Sequence, residues 1–145
     1  LTVRDNLRLF AGGGGEDSSI ERAVEAFPIL RQRMTQIAGT MSGGQQQMLA
    51  LSRAYVRCAP LVLLDEVSMG LAPIVVDEIF EFLARMASEG SSLLVVEQYA
   101  AKALALADLV YVLVRGRIVL CGEPAELTES KIFTKYLGSE ANAVG

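Results

Sequence analysis

Histidine is absent from the 145 residues, and cysteine occurs only twice, at Cys58 and Cys121. Without histidine, neither a Ser/His/Asp nor a Cys/His nucleophile set can be assembled. Two isolated cysteines outside a CxxC pair supply no zinc framework and no disulfide scaffold, and they suit a reducing compartment. Long apolar runs are also missing: the most apolar stretch, residues 103–114, is broken by Asp108 and falls short of the ~18 residues that a membrane span requires. No leader with charged, apolar and small-residue regions is visible. Positive charge is in deficit, with 13 Lys and Arg against 17 Asp and Glu, so neither a basic nucleic-acid footprint nor a polybasic lipid-binding face is expected.

What is present suits one folded domain. Hydrophobic residues make up 52% of the chain and charged residues 21%, enough apolar material for a core and too little charge for disorder. The sequence opens at Leu1, inside helix-forming residues, and is expected to be a piece of a longer protein.

Thr2 and Asp5 have the spacing of a capping box and predict a short helix over residues 4–10. The glycine run 12–15 is followed by no Lys-Ser/Thr and preceded by no apolar strand, so it reads as a flexible loop rather than a phosphate cradle. Ser18 and Glu21 repeat the capping spacing and predict a helix up to Phe27, interrupted by Pro28. Ser42 stands three residues before Gln45, and a helix over residues 46–57 follows. The run Leu61-Val62-Leu63-Leu64 ends on Asp65 and Glu66, as does a strand buried on both faces of a parallel sheet. Pro73 suits a first helical position, and Val75, Ile79, Phe82, Leu83 and Met86 give the next helix its apolar face until Gly90. A second buried strand, 93–96, ends at Glu97 and Gln98. A helix over 100–107 leads into two β-rich segments that turn at Arg115-Gly116. Short helical turns to Tyr136 and a loose tail, 138–145, complete the chain. The alternation of strand and helix is that of a doubly wound α/β fold with a mostly parallel sheet.

Three features occur in an informative order: a glycine-opened helix at Ser42, a strand ending Asp65-Glu66 and a strand ending Glu97-Gln98. The Ser42 hydroxyl and the unpaired first-turn amides of a helix form a natural anion site, and phosphate is a fitting guest. Parallel sheets place ligands at strand C-termini. Two adjacent carboxylates there, on opposite faces of the strand, can divide labour, one toward magnesium and one toward a proton of an attacking water. That is a layout for nucleotide hydrolysis.

The motifs Met41-Ser42-Gly43-Gly44-Gln45-Gln46-Gln47, Leu61-Val62-Leu63-Leu64-Asp65-Glu66 and Ser68-Met69-Gly70-Leu71-Ala72-Pro73 resemble the nucleotide-binding subunits of ATP-binding cassette (ABC) transporters. Leu1 to Leu7 look like the segment just after that family's Q-loop. Met69-Gly70-Leu71-Ala72-Pro73 and Val96-Glu97-Gln98 look most like the ATPase subunits of bacterial branched-chain amino-acid importers. The resemblance implies a P-loop NTPase-like (RecA-like) α/β fold with a partial helical subdomain over residues 1–41. Residues 42–137 would be the signature helix and C-terminal half of the ATPase core, and 138–145 a tail. It implies ATP and Mg²⁺ as cofactors. Ser42, Gly43, Gly44 and Gln45 take the place of the signature motif, which closes over the γ-phosphate held by an opposite subunit. Asp65 takes the place of the Walker B aspartate that holds Mg²⁺, Glu66 that of the general base, and residues 69–72 that of the D-loop. Gln98 stands where most of the family has its switch histidine; it can donate a hydrogen bond but cannot titrate near neutral pH.

The departures are Val67 for the proline usual after the glutamate, Ala72 for the D-loop aspartate and Gln98 for histidine. The loss of proline is expected to loosen that turn without removing a catalytic atom. No GxxxxGK[S/T], no upstream aromatic for adenine and no Q-loop is present, so the N-terminal strands and Walker A are missing and the sequence matches about the C-terminal three-fifths of such a subunit. The resemblance implies an ATPase docked on the cytoplasmic face of the inner membrane. Its partners would be a second ATPase subunit in a head-to-tail dimer, membrane permease subunits and, indirectly, a solute-binding protein, with no nucleic acid. A second reading is a non-catalytic fragment or pseudo-ATPase that only pairs with a complete subunit. A third, an ABC ATPase of DNA repair or translation, is disfavoured by the net charge and the lack of coiled-coil heptads.

Overall fold

The computed structural model describes residues 1–11 and 15–127, so most of the glycine run and the expected turns and tail beyond Leu127 lie outside the described residues. The chain divides into two compact units, Leu1–Val96 and Glu97–Gly145.

In the first unit, helix α1 (Val3–Phe10) starts as its capping box predicts. Asp5 N donates to Thr2 Oγ1 at 3.1 Å and Thr2 N donates to Asp5 Oδ2 at 2.9 Å, while Val3 and Leu7 turn inward. The Thr2 hydroxyl and then its backbone N–H hold the Asp5 carboxyl below the ordinary carboxylate value. A lowered folded-state pKa makes this cap's contribution complete above the unfolded pKa and lost as pH falls through the folded one. An NMR titration should therefore put the Asp5 carboxyl midpoint below that of the same residue in an unstructured peptide, and an unshifted midpoint would refute the cap's role.

Helix α2 (Glu16–Ala26) begins two residues before the expected Ser18. Its cap is Gly15 at φ 94°, and Glu16 and Asp17 set negative charge against the positive end of the helix dipole. Ser18 and Glu21 therefore form no capping box. Ser19 does the local work instead, its hydroxyl donating to Gly15 O at 3.0 Å. Phe27, constrained by Pro28 after it, leaves the helix in extended conformation and a short 3-10 segment, Pro28–Arg33, follows.

Helix α3 (Gly43–Val56) starts three residues earlier than the sequence suggests, because the Ser42–Gln45 box closes directly on the two glycines. Both α1 and α2 pack against it. The helix ends in a Schellman motif: Cys58 N donates to Tyr55 O at 2.9 Å and Ala59 N to Ala54 O at 3.3 Å, with Cys58 in the left-handed position at φ 53°.

Strand β1 (Leu61–Asp65), helix α4 (Pro73–Ser88) and strand β2 (Ser92–Val96) form a βαβ unit, with β1 and β2 parallel from Leu61↔Ser92 to Asp65↔Val96. Helix α4 buries Val76, Ile79, Phe80, Phe82, Leu83 and Met86, so Val75 gives its core place to Val76. The strands depart from expectation more clearly. Val62 and Leu64 are buried, but Leu61 (57% exposed), Leu63 (68%), Leu94 (57%) and Val96 (55%) are open. Their run is the mark of a strand made for two covers, and among the described residues only the Val62–Leu64 face has one.

In the second unit, helix α5 (Ala100–Leu106) precedes an antiparallel pair, β3 (Val110–Val114) and β4 (Arg117–Gly122). Arg115 at φ 49° and Gly116 at φ 75° are both left-handed, which is what a two-residue hairpin turn needs to match the strands' twist. A short turn, Pro124–Glu126, follows. Among the described residues no helix is long and apolar enough to cross a membrane.

Candidate nucleotide site

Ser42 ends an extended segment at φ −63° and ψ 157°, so its side chain faces back over the first turn of α3. Gln45 N donates to its Oγ at 3.4 Å, and Ser42 N donates to Gln45 Oε1 at 3.3 Å. Gln46 Nε2 donates to Met41 O at 2.9 Å, pinning the residue before the cap. The two glycines that follow differ. Gly43 is exposed, and a Cβ there would meet only Leu71 Cδ2, at an ordinary 3.8 Å. Gly44 is buried, and a Cβ there would lie 2.8 Å from Val75 Cγ1. An exposed serine cap, an open glycine and a helix N-terminus are donors suited to an anionic oxygen.

Asp65 closes β1 and is exposed. Glu66 does not continue the strand. At φ 47° it turns into the left-handed region, so its direction is set by the turn and not by the pleat that would have placed it opposite Asp65. Glu66 N donates to Val96 O at 2.9 Å, tying the turn to the end of β2, and Met69 N donates to Glu66 O at 3.2 Å. Among the described residues the other left-handed non-glycines are Cys58, which caps α3, and Arg115, which makes the hairpin turn. Each such conformation costs on the order of 1–2 kcal/mol that a glycine would not, and Glu66 is the one that stands at a strand's C-terminal end beside Asp65.

Val67 is 6% exposed and Ser68 fully buried, so the turn after Glu66 is anchored by side chains rather than loosened by the missing proline. Gly70 at φ 73° then reverses the chain beside the exposed Met69. The structure thus brings Asp65, Glu66 and Val96 together at one end of the β1–β2 sheet and sets Gly43 and Gly44 against Leu71 and Val75, with residues 67–72 joining the two places. Gln98 belongs to the second unit, where its carbonyl accepts from Ala100 N at 2.9 Å.

Among the described residues no group of three or more Cys, Asp or Glu is gathered to hold a metal ion. A single exposed carboxylate still fits magnesium, which keeps several waters and takes further oxygens from phosphates. Two features were not evident from sequence: the left-handed Glu66 and the contact of Gly44 with Val75. The first has no signal in residue type, since glutamate is unremarkable there. The second had a partial one, the small residue of a first turn and a β-branched residue five positions past the exposed Gly70.

Residues 1–69 match the family described as ABC transporter. The chain is 46% identical over 142 residues to the high-affinity branched-chain amino acid transport ATP-binding protein BraG of Pseudomonas aeruginosa, covering 95% of this chain and 61% of that protein. It is 38% identical over 139 residues to LivF of Archaeoglobus fulgidus, also named for branched-chain amino acid transport, covering 93% of this chain and 59% of the relative. The chain therefore spans about three-fifths of the length of these curated relatives. A solved ATP-binding subunit of an ABC transporter superposes with a TM-score of 0.79 at 22% identity, over 94% of this chain and 62% of that one, which places the fold. With this likeness over almost its whole length, the chain belongs to the ABC transporter ATP-binding family.

Proposed function

We propose that this chain is part of the ATP-binding subunit of an importer that uses ATP hydrolysis to drive uptake of branched-chain amino acids. The observation that carries the catalytic half of this reading is Glu66: its left-handed backbone is costly, and such outliers persist where a side chain must be aimed. Glu66 acts as the general base on the attacking water, and Asp65 beside it holds the metal. Mg²⁺ supplies neutralisation of the charge on the phosphoryl oxygens. Ser42, Gly43, Gly44 and Gln45 present the first-turn amides and the serine hydroxyl to the γ-phosphate of ATP held by a second subunit. Gln98 positions by hydrogen bonding.

The substrate class rests on the names of the two relatives, both branched-chain amino acid transport ATP-binding proteins. Residues 1–41 then contribute to a helical subdomain and the described residues from Ser42 onward to the ATPase core. The subunit works as a head-to-tail pair on the cytoplasmic face of the membrane, docked on permease subunits that receive amino acid from a solute-binding protein.

The test is transport. The subunit that contains this chain, assembled with its permease in vesicles, should accumulate labelled leucine when ATP is supplied on the subunit's side, and not with a non-hydrolysable analogue. Equal accumulation with the analogue, or ATP hydrolysis that never yields branched-chain uptake, would overturn the reading.

A further inference from the structure

We propose that Val75 is a positioning residue for the signature turn, clasped to it through Gly44 so that the turn and the D-loop segment move as one body. The proposal rests on the function above only in taking that turn to serve a phosphate. Gly44 has an ordinary helical backbone and is buried, so no special conformation accounts for a glycine there. Val75 does: a Cβ at position 44 would lie 2.8 Å from its Cγ1, closer than such contacts occur, while the Val75 Cβ would lie at a comfortable 3.7 Å. Gly43 rests on Leu71 in the same way but with room to spare, at 3.8 Å from Cδ2.

The two contacts bracket the entry to α4. Val75 N donates to Ala72 O at 2.9 Å, Leu71 N to Ser68 O at 3.2 Å and Met69 N to Glu66 O at 3.2 Å, so a series of closed turns runs from the clasp back to Glu66. The opposite ends of the two helices are also joined. Tyr55 of α3 donates its hydroxyl to Glu89 Oε1 at 3.1 Å, and its ring meets Phe82 of α4 edge-on with centroids 5.2 Å apart. Start joined to start and end joined to end, α3 and α4 cannot slide past each other. A displacement at Ser42 is transmitted to the D-loop and to the turn that aims Glu66.

The test is a reciprocal exchange in the intact subunit, read as kcat and KM for ATP well below the melting temperature, and as Tm. Gly44→Ala should lower kcat at least about tenfold and lower Tm, and Val75→Ala should lower kcat about threefold with KM within about twofold, because the signature turn does not grip the nucleotide bound in its own subunit. The double variant, which leaves two methyl carbons at ordinary contact, should recover kcat to within about threefold of wild type, a strong departure from additivity. A double variant that recovers Tm but keeps the kcat of Gly44→Ala would overturn the positioning role. If the parent subunit hydrolyses no ATP, the proposed function fails, and the clasp is judged by Tm alone: recovery supports it and no recovery rejects it.

Discussion

Glu66→Gln is expected to lower ATP turnover by about 10²–10⁴-fold, the range that a positioned general base contributes. The amide keeps the size and some of the hydrogen bonding of glutamate but cannot take a proton from water, so nucleotide binding should persist and the ATP-bound pair of subunits should accumulate. Gel filtration with ATP and Mg²⁺ would show this as a shift to the dimer. The left-handed backbone supplies a control. Glu66→Gly removes the same base and also relieves a conformation at φ 47° that glycine adopts freely. It should be as inactive as Glu66→Gln yet melt no lower. A glycine variant that melts well below the glutamine one would mean that the side chain serves the fold, and normal turnover by either variant would remove Glu66 as the base.

Gly43→Asp should lower turnover at least about a hundredfold, comparable with the loss of a preorganised donor to a transition-state oxyanion. The fold should tolerate it. Gly43 is exposed, a Cβ there meets only Leu71 Cδ2 at 3.8 Å, and a carboxylate in the first turn of α3 interacts favourably with the helix dipole. The same carboxylate faces the place where a phosphate would approach, and repels it. On the proposal that the motif acts on nucleotide held by the other subunit, ATP affinity should survive while kcat collapses. Equal loss of nucleotide binding would contradict action across the dimer, and unchanged turnover would show that no phosphate comes near Gly43.

Much of this architecture is legible in the residues, for reasons that can be named. The capping boxes at Thr2–Asp5 and Ser42–Gln45 are short-range geometry, and short-range geometry survives folding intact. The Arg115-Gly116 turn is equally local. Ser18–Glu21 misleads because the spacing is only permissive: two acidic residues and a glycine cap just upstream offered α2 an earlier start. The strands expected to be buried on both faces show the limit of another kind, since a run such as Leu61–Leu64 reports the environment for which it is suited and not the neighbours that the described residues supply. At the site, residue types marked Asp65, Glu66 and Ser42, but they could not reveal the backbone angle that turns Glu66 off the strand, nor tell Gly43, open toward solvent, from Gly44, pressed on Val75. Both are properties of tertiary contact.

The open face of the β1–β2 sheet has a thermodynamic consequence. Two parallel strands of five residues, with Leu61, Leu63, Leu94 and Val96 facing solvent, are too small a sheet to be stable by themselves. Whatever settles on that face is linked to folding by mass action, so the melting temperature becomes a reading of its occupancy. The strand end that carries Asp65 and Glu66 is thus held in place in proportion to how much of the sheet is covered.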